Sequence, residues 1–427
     1  MLYLDVPCIR CFIALVALGL PISVHSAHGG EPGMTASVDW PAWRGPRGDG
    51  VSEETDLPIH WSSTDNVCWK AAIPGRGYSS PAIFGDRIFL TTCLESEQKR
   101  VLLCLSRLDG HLLWQREVLS AALEKKHQRN GYATATPATD GAHVYVAFLQ
   151  GVDVQVVCYD VDGKEIWRHS PGEFHSVHGY AMSPVLWHDL VILNCDQDAQ
   201  GYLVGMDQQT GQERWRTDRP NHTRSYCVPT VFDTAGRTQM VLSGSKCVAS
   251  YDPATGKQLW IINGPTDQYV ASLVWSDGVF FLTAGFPTYH LMGIRDDGSG
   301  DITKTHILWH DTKRASYVPS PIAYDHLFYV VSDLGWATCI EPKTGQKLWS
   351  EKLGRYHSPS PVAADGYLYF LDDDGEIFVL KAGPTFDLVG KNVMGEECRA
   401  SPAISRGQIF IRTFTTLYCI GAAKGGH

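Results

Sequence analysis

GMDQQTGQERW (205–215) is one copy of a signature in which a turn glycine is followed four residues later by Trp. Four further copies have the same form: CLSRLDGHLLW (104–114), CYDVDGKEIW (158–167), SYDPATGKQLW (250–260) and CIEPKTGQKLW (339–349). With Trp69 and Trp309 added, the steps along the Trp series are 45, 53, 48, 45, 49 and 40 residues. A period in the forties, built of strand-like runs and Gly/Asp turns, predicts a β-propeller with one blade per repeat.

The composition narrows the class of protein further. A chain of 427 residues could form two or three ordinary domains, but the repeat predicts one closed ring. The 41 glycines and the aromatic content of 11% are expected of many short strands joined by tight turns. The formal net charge of −10 argues against general nucleic-acid binding, because that function needs a basic surface.

The first 27 residues differ from the rest. Their apolar run, residues 12–20, is short for a membrane span and is followed by small residues that suit signal-peptidase cleavage near Ser26 or Ala27. We predict a signal peptide over 1–27 and a periplasmic or secreted protein. An uncleaved N-terminal anchor is the alternative.

Ten cysteines follow residue 27, and four of them share one repeat position: Cys104, Cys158, Cys339 and Cys419. Gly205 and Ser250 hold this position in other repeats, so we expect it to need a small buried side chain and not a disulfide. A disulfide would come from the remaining cysteines, whose partners the sequence does not assign: Cys68, Cys93, Cys195, Cys227, Cys247 and Cys398.

Eight short segments are predicted to open the inner strands of the blades. They are SSPA (79–82), ATPA (135–138), MSPV (182–185), CVPT (227–230), ASLV (271–274), PSPI (319–322), PSPV (359–362) and ASPA (400–403). The eighth unit lacks an outer strand, whereas VCWKAAI (67–73) is an outer strand without a blade. We therefore predict an all-β, eight-bladed propeller over 67–421, closed by the N-terminal strand completing the C-terminal blade.

Two segments flank the predicted ring. An arm over 28–66 is rich in Gly and Pro, and Trp40, Trp43 and Trp61 within it suggest that it docks on the ring. Residues 422–427 form a short tail. Within the ring, the seventh unit is the weak member, because its outer strand FDLVGKNVM (386–394) carries no Trp.

The repeats resemble the PQQ-like (pyrroloquinoline quinone-type) repeat, whose tryptophan-docking motif reads approximately A-x-D-x-x-T-G-x-x-x-W. The matches are Asp207–Trp215, Asp252–Trp260 and Glu341–Trp349. Two more stretches, WPAWRGPRGDGVS (40–52) and GSGDITKTHILWH (298–310), are similar to exported propellers common in planctomycetes. The resemblance implies an eight-bladed ring in the quinoprotein dehydrogenase-like superfamily.

That superfamily implies two kinds of function. Quinoprotein dehydrogenases carry an adjacent Cys–Cys pair and hold calcium with an Asp/Asn/Glu set, neither of which has a matching motif here. A non-enzymatic branch includes the scaffold lipoprotein of the outer-membrane β-barrel assembly machine, whose lipobox this chain lacks. We expect an exported, non-catalytic binding or scaffold propeller with no cofactor. The alternative is a periplasmic PQQ-dependent dehydrogenase with calcium, or a carbohydrate-active enzyme.

A candidate site emerges from the loops that precede the predicted inner strands. Six of the eight units carry an Arg or His followed by Tyr, and these loops should share one face around the channel mouth. We predict a cationic, aromatic funnel for an anionic or hydroxyl-rich ligand, either a protein segment or an anionic glycan. The predicted ligand-binding residues are Arg76, Tyr78, Arg129, Tyr132, His178, Tyr180, Arg224, Tyr226, Tyr269, Arg314, Tyr317, Arg355, Tyr356 and Arg399.

The alternative for this set is structural: each Tyr would cap a blade core, and each Arg would stack on it or pair with an Asp. We predict no catalytic residues, because no nucleophile-elbow, zincin or P-loop motif is present. A zinc site at His175 and His178 lacks further ligands, and 296–301 lacks the spacing of a calcium loop. The expected protein is a monomeric ring that binds its partner, for which a membrane-associated complex is one setting.

Overall fold

The computed structural model describes residues 1–2 and 38–421. Residues 38–421 belong to one compact unit, which contains every strand described. The predicted signal peptide, except its first two residues, and the tail lie outside the described residues. Within the described residues, no helix is long and apolar enough to cross a membrane.

Eight antiparallel sheets follow one another along the chain, which confirms the predicted eight-bladed propeller. The inner strands are Ala82–Phe84, Ala138–Thr139, Val185–Trp187, Thr230–Thr234, Val274–Ser276, Ile322–Tyr324, Val362–Ala364 and Ala403–Ser405. The second strands are Arg87–Leu94, His143–Gln150, Leu190–Cys195, Arg237–Gly244, Val279–Ala284, Leu327–Val331, Tyr367–Leu371 and Gln408–Arg412.

The outer halves of the blades complete the list of strands. The third strands are Lys99–Ser106, Asp153–Asp160, Tyr202–Asp207, Cys247–Tyr251, His290–Arg295, Trp336–Ile340, Glu376–Lys381 and Thr416–Ile420. The outer strands are Leu112–Ser120, Glu165–His169, Glu213–Asp218, Gln258–Asn263, Ile307–Asp311, Lys347–Lys352, Leu388–Val393 and, in the eighth blade, Val67–Ala72. Two elements stand apart from this plan, the 3-10 turn Glu95–Glu97 and the short strand Gly300–Asp301.

The ring closes between the two ends of the described chain. Val67–Ala72 pairs antiparallel with Thr416–Ile420, from Val67 opposite Ile420 to Ala72 opposite Thr416. This pairing confirms the predicted closure and removes the edge that the last sheet would otherwise expose.

The repeated Trp explains the small residue at the shared Cys, Gly or Ser position. Each such residue lies directly across the strand pair from a Trp: Cys104–Trp114, Cys158–Trp167, Gly205–Trp215, Ser250–Trp260, Gly293–Trp309, Cys339–Trp349 and Cys419–Trp69. At Gly205 a Cβ would lie 2.3 Å from the Trp215 indole. A larger residue would displace the ring, so the small side chain is a packing requirement. All ten described cysteines are free thiols.

The indoles also join neighbouring blades. The indole N–H of five Trp donates to a carbonyl in the next blade: Trp69 to Arg107 (2.9 Å), Trp114 to Val161 (3.0 Å), Trp167 to Gln208 (2.8 Å), Trp309 to Pro342 (2.7 Å) and Trp349 to Gly383 (3.1 Å). At Gly110, whose φ is +75°, a Cβ would lie 2.5 Å from Trp69. The turn glycine is therefore needed both for its backbone conformation and for the approach of the indole.

Two Trp depart from this pattern: the Trp215 indole N–H is buried without a hydrogen-bond partner, and Trp260 bonds within its own blade. Its indole N–H donates to the Gln239 side chain of its own blade at 2.9 Å. The next blade has no T-G turn at the equivalent place, and its Gly300–Asp301 strand instead pairs parallel with the outer strand Gln258–Asn263.

The seventh blade obtains its Trp from the arm. Gly390 stands opposite Val379, where other blades place their Trp, and a Cβ on Gly390 would lie 2.7 Å from the Ile59 carbonyl. Trp61 packs 6.3 Å from the ring of Tyr369, while outer-strand Trp349 lies 6.0 Å from the equivalent Tyr329. The arm thus supplies the aromatic ring that the outer strand lacks.

The rest of the described arm lies against inner strands and the turns that follow them. Trp40 exchanges two backbone hydrogen bonds with Ile83 of the first blade, and Ser52 donates to Ala363 of the seventh. Glu54 accepts from the backbone of Arg406 and Gly407 in the eighth blade. Because these turns lie on the face opposite the loops that open the blades, the arm closes that end of the channel.

Candidate functional site

A cavity of about 460 Å³ lies at the other end of the channel. Residues from all eight blades line it, and Trp43 of the arm joins them. The propeller is therefore a cup whose wall comes from the inner-strand openings and whose closed end comes from the arm.

The structure divides the predicted funnel residues into two sets. Seven line the cavity: Tyr78, Arg129, His178, Arg224, Tyr226, Tyr317 and Arg399. Seven are absent from its wall: Arg76, Tyr132, Tyr180, Tyr269, Arg314, Arg355 and Tyr356. Tyr180 and Tyr269 are buried in blade cores, and the Tyr269 hydroxyl donates to the Gly264 carbonyl at 2.8 Å.

The other residues outside the wall have surface or inter-blade contacts. Arg314 stacks on Trp336 at 3.8 Å, Arg76 lies over Phe414 at 5.5 Å, and Tyr132 lies under Lys126 at 4.8 Å. Arg355 and Tyr356 are exposed on the same face as the cavity. The contacts of Arg314, Arg76 and Tyr132 are therefore those of the structural alternative, in which these side chains stack on neighbouring residues instead of binding a ligand.

Three arginines line the cavity, and they differ in their partners. Arg224 contacts both carboxylate oxygens of Asp198 at 2.8 Å, and Arg399 contacts Asp373 at 3.2 Å. Arg129 forms no ion pair within residues 38–421. Its guanidinium instead lies 5.6 Å from the ring centroid of Tyr356, which belongs to the loop opening the seventh blade. Arg129 opens the second blade, so its side chain extends over the channel mouth.

Asp333 is the one carboxylate among the described residues of the cavity wall. Its two oxygens accept the backbone N–H groups of Tyr317 (2.7 Å) and Val318 (3.1 Å). Burial raises the pKa of Asp333, and these two hydrogen bonds oppose that rise. The carboxylate is thus occupied in fixing the loop that carries Tyr317.

A chain of hydroxyl groups surrounds the deeper part of the cavity. Backbone N–H groups donate to the hydroxyl of the next blade from Ser80 to Thr136, Thr136 to Ser183, Ser272 to Ser320, Ser320 to Ser360 and Ser360 to Ser401, at 2.9–3.0 Å. We call Thr136, Ser183, Ser320, Ser360 and Ser401 the hydroxyl ring. Each oxygen accepts a backbone proton, so the hydroxyl proton of each cavity-lining member is free to be donated into the cavity.

Two histidines stand at the cavity wall between the second and third blades. His127 and His178 meet edge to face at 5.5 Å. Burial lowers the pKa of His178, and the charges of Arg224 and His127 lower it further. The loop that carries His127 is fixed by Asn130, whose side chain donates to the His178 carbonyl at 2.9 Å.

The metal sites weighed from the sequence do not assemble in the described residues. His175 contacts Glu173 at 2.7 Å rather than His178, and Asp296 accepts from the Trp275 indole at 2.9 Å. No cluster of three His, Cys, Asp or Glu side chains within 38–421 could hold a metal ion.

Several wall residues were not among the predicted set. The hydroxyl ring could have been recognised from Ser or Thr before Pro in the inner-strand segments. Trp43 and Phe286 carry no repeat signal, because each belongs to a segment that differs from blade to blade. Asp333 does have an equivalent, since Asp373 stands at the same position two residues before the turn glycine of the seventh blade.

Fold and wall together define a PQQ-like repeat propeller with an arginine-lined cavity. The family model described as outer membrane protein assembly factor BamB matches residues 98–350, more than half of the chain, and the chain belongs to this family. A comparison with curated proteins gives no match.

Solved structures show the same fold at low identity. BamB from Moraxella catarrhalis is 13% identical with a TM-score of 0.59, covering 85% of this chain and 100% of that one. Quinohemoprotein alcohol dehydrogenase ADHIIG from Pseudomonas putida HK5 is 12% identical with a TM-score of 0.62, covering 91% and 81%. The computationally designed Ika8 protein is 15% identical with a TM-score of 0.58, covering 83% and 100%. At these identities the likeness concerns the fold alone.

Because dehydrogenases share the fold, we asked whether the cavity residues fit PQQ with calcium. Calcium takes six to eight oxygen ligands, with carboxylates prominent among them. The described wall offers the Asp333 carboxylate, whose oxygens already accept backbone protons. No cysteine lines the cavity as described. The donor set of the described wall therefore does not fit a calcium–quinone pair.

Proposed function

We propose that the protein is an exported, non-catalytic binding or scaffold propeller whose cavity receives a carboxylate-bearing ligand. The supporting observation is an excess of hydrogen-bond donors. Arg129, Arg224 and Arg399 and the cavity-facing members of the hydroxyl ring donate, whereas Asp333 is already engaged. A ligand that fits such a wall supplies acceptors and negative charge, because unpaired buried donors are costly.

Arg129 is the residue of the wall best placed to attract the ligand. Arg224 and Arg399 form ion pairs with Asp198 and Asp373. Arg129 interacts with the charges of Asp333 and Asp373 only at longer range, and its guanidinium lies against the Tyr356 ring without an ion pair among residues 38–421. The carboxylate could be carried by an acidic protein segment or by an acidic glycan. Both would present the same group, and the ligand panel in the test separates them.

The test is thermal unfolding of the mature protein with citrate, an acidic peptide ending in a free carboxylate, glucuronate, or PQQ plus calcium. A ligand at one hundred times its Kd adds about 2.7 kcal/mol of stability. We expect a shift with the carboxylates and none with neutral glucose. Arg129→Gln should weaken citrate binding about tenfold, the value of one charge-assisted hydrogen bond.

Arg355→Gln is the matched control, since Arg355 is an exposed arginine of the same face that does not line the cavity. It should bind citrate like the unsubstituted protein. A shift with PQQ plus calcium but with none of the carboxylates would overturn the proposal in favour of a quinoprotein. No shift with any ligand would also overturn it.

A further inference from the structure

The closed end of the cup is formed by the sequence Trp43-Arg44 of the arm. Trp43 lines the cavity, and the Arg44 guanidinium lies 5.7 Å from the centroid of its ring. Neither residue belongs to the repeat, so the wall and the floor of the site come from separate parts of the chain.

Arg44 is a buried cation without a carboxylate partner in the described residues. It is 1% exposed, and one terminal nitrogen, Nη2, donates to the carbonyls of Asp49 and Pro321. The other donor nitrogens, Nε and Nη1, are buried with no hydrogen-bond partner. Burial lowers the pKa of Arg44 to about 10, and the charge of Asp49 opposes this.

Asp49 does not neutralise this charge through direct contact. Its side chain accepts from Arg47 Nε at 2.9 Å and from the Val51 backbone N–H at 2.9 Å. The Asp49 group that Arg44 contacts is the backbone carbonyl. The positive charge of Arg44 is therefore left largely uncompensated by the protein.

The position of Arg44 relates it to the hydroxyl ring. Nη2 donates to the Pro321 carbonyl at 2.6 Å, and Pro321 directly follows the ring member Ser320. One strand residue advances about 3.3 Å, so the guanidinium lies about one residue below the ring. A charge at this depth acts on the cavity through protein rather than water, where its field is weakly screened.

We infer that Trp43 and Arg44 of the arm form an anion-selective floor, on which the acid group of a bound carboxylate ligand comes to rest. This inference rests on the proposed function and specifies how the ligand enters, with its charged end inward. The acid group accepts protons from the hydroxyl ring while the field of Arg44 compensates its charge. Arg44 acts as a positioning residue, because its nitrogens are buried beneath the floor.

The first test measures citrate affinity by calorimetry for Arg44→Met, Arg44→Lys and Arg237→Met in the full mature chain. Arg44→Met removes the charge and should weaken citrate binding about tenfold, whereas Arg44→Lys keeps the charge and should restore most of the affinity. Arg237 is the control: it also donates to a carbonyl, that of Gly298, has a buried unpartnered Nε, and does not line the cavity. Arg237→Met should bind normally.

The second test does not need the natural ligand and remains usable if Arg44→Met fails to fold. Fluorescence quenching by iodide, an anion, is compared with quenching by neutral acrylamide, and the part due to Trp43 is obtained by subtracting Trp43→Phe. We expect the iodide-to-acrylamide ratio for Trp43 to exceed that of a free tryptophan amide by at least twofold. Arg44→Lys should retain that excess.

The outcomes separate this inference from the proposed function. If Arg129→Gln weakens citrate binding but Arg44→Met does not, the proposed binding function stands and the inference of an anion-selective floor is wrong. A Trp43 ratio at or below that of the free amide also overturns the floor. If no carboxylate binds the unsubstituted protein but Trp43 shows the iodide excess, the proposed function and the carboxylate position inferred from it both fail, and only the anion selectivity of the floor stands.

Discussion

At the scale of single residues, the molecule depends on space reserved for the repeated indole. A residue opposite each Trp must be small, and Gly205 and Gly293 are demanding cases because a Cβ at either would lie 2.3 Å from the facing indole. The same reasoning explains why Cys, Gly and Ser interchange at this position although their chemistry differs.

We predict that Gly205→Leu lowers the free energy of unfolding by about 3 kcal/mol, because overpacking displaces the Trp215 indole. Gly205→Ser should cost less, since Ser250 holds the equivalent position opposite Trp260. Urea unfolding followed by circular dichroism measures both. Equal destabilisation by Leu and Ser would contradict the packing explanation.

Buried histidine gives the fold a pH dependence. His357 is 2% exposed, its Nε2 contacts the Leu353 carbonyl at 3.0 Å, and burial lowers its pKa. In the unfolded chain His357 takes up a proton near pH 6.5, before it does so in the folded protein. Stability should therefore be fully present above that pH and fall as the pH drops through 6.5 toward the lower folded pKa.

We expect His357→Gln to lose less stability than the unsubstituted protein when the pH falls from 7.5 to 5.0. His326→Gln is the control, because the His326 side chain is 80% exposed beside Asp277. The measurement is the urea unfolding midpoint of each protein at the two pH values, from which the acid-induced loss of stability is compared. An unchanged acid loss in His357→Gln would show that other groups cause it.

At the scale of elements, the arm is both a lid for one end of the channel and a substitute for a missing residue. Gly390 leaves the seventh blade without an outer-strand Trp, and Trp61 fills the space beside Tyr369. Asn392 fixes this segment by accepting the Trp61 backbone N–H at 2.8 Å and donating to the Ile59 carbonyl at 2.9 Å.

We predict that Trp61→Ala destabilises the protein by about 3–4 kcal/mol, the cost of removing a buried aromatic ring. Trp349→Ala in the sixth blade should cost a similar amount of stability, because the two rings pack against equivalent tyrosines of their blades. Leu388→Ala, an exposed position on the outer strand of the seventh blade, should change stability by less than about 0.5 kcal/mol. A small effect of Trp61→Ala together with a large effect of Trp349→Ala would show that Trp61 does not take the place of the missing outer-strand Trp.

The same scale shows what the sequence could predict. The blades and their order followed from the Trp period, since every repeat solves the same packing problem. The course of the arm did not, because Trp43 and Trp61 have no counterpart in the repeats. Half of the predicted funnel residues line the cavity. The rest do not, because a Tyr in the same segment faces the cavity at Tyr226 but a blade core at Tyr269, and sequence spacing alone does not distinguish these directions.

At the scale of the whole molecule, closure by Val67–Ala72 joins the last blade to the first part of the ring. Trp69 reaches into the first blade, where its indole N–H donates to Arg107, and it packs on the turn glycine Gly110. A substitution that weakens this strand should therefore destabilise the whole ring and not only the eighth blade.

We predict that Trp69→Ala lowers the midpoint of one cooperative unfolding transition, with a cost of about 3–4 kcal/mol. Differential scanning calorimetry of the mature chain measures this, and Trp349→Ala supplies a comparison within an unbroken blade. A separate low-temperature transition in Trp69→Ala alone would show instead that the closing blade unfolds by itself.

The closing pair also sets an order of events during biosynthesis. Val67–Ala72 is made before the first blade is complete, yet its partner Thr416–Ile420 is made only after the other seven blades. Until then Val67–Ala72 has no partner strand, and its free edge can pair with another chain. The nascent chain therefore needs protection from self-association until the eighth blade is made, and a chain that stops before Thr416 leaves Val67–Ala72 unpaired and the ring open.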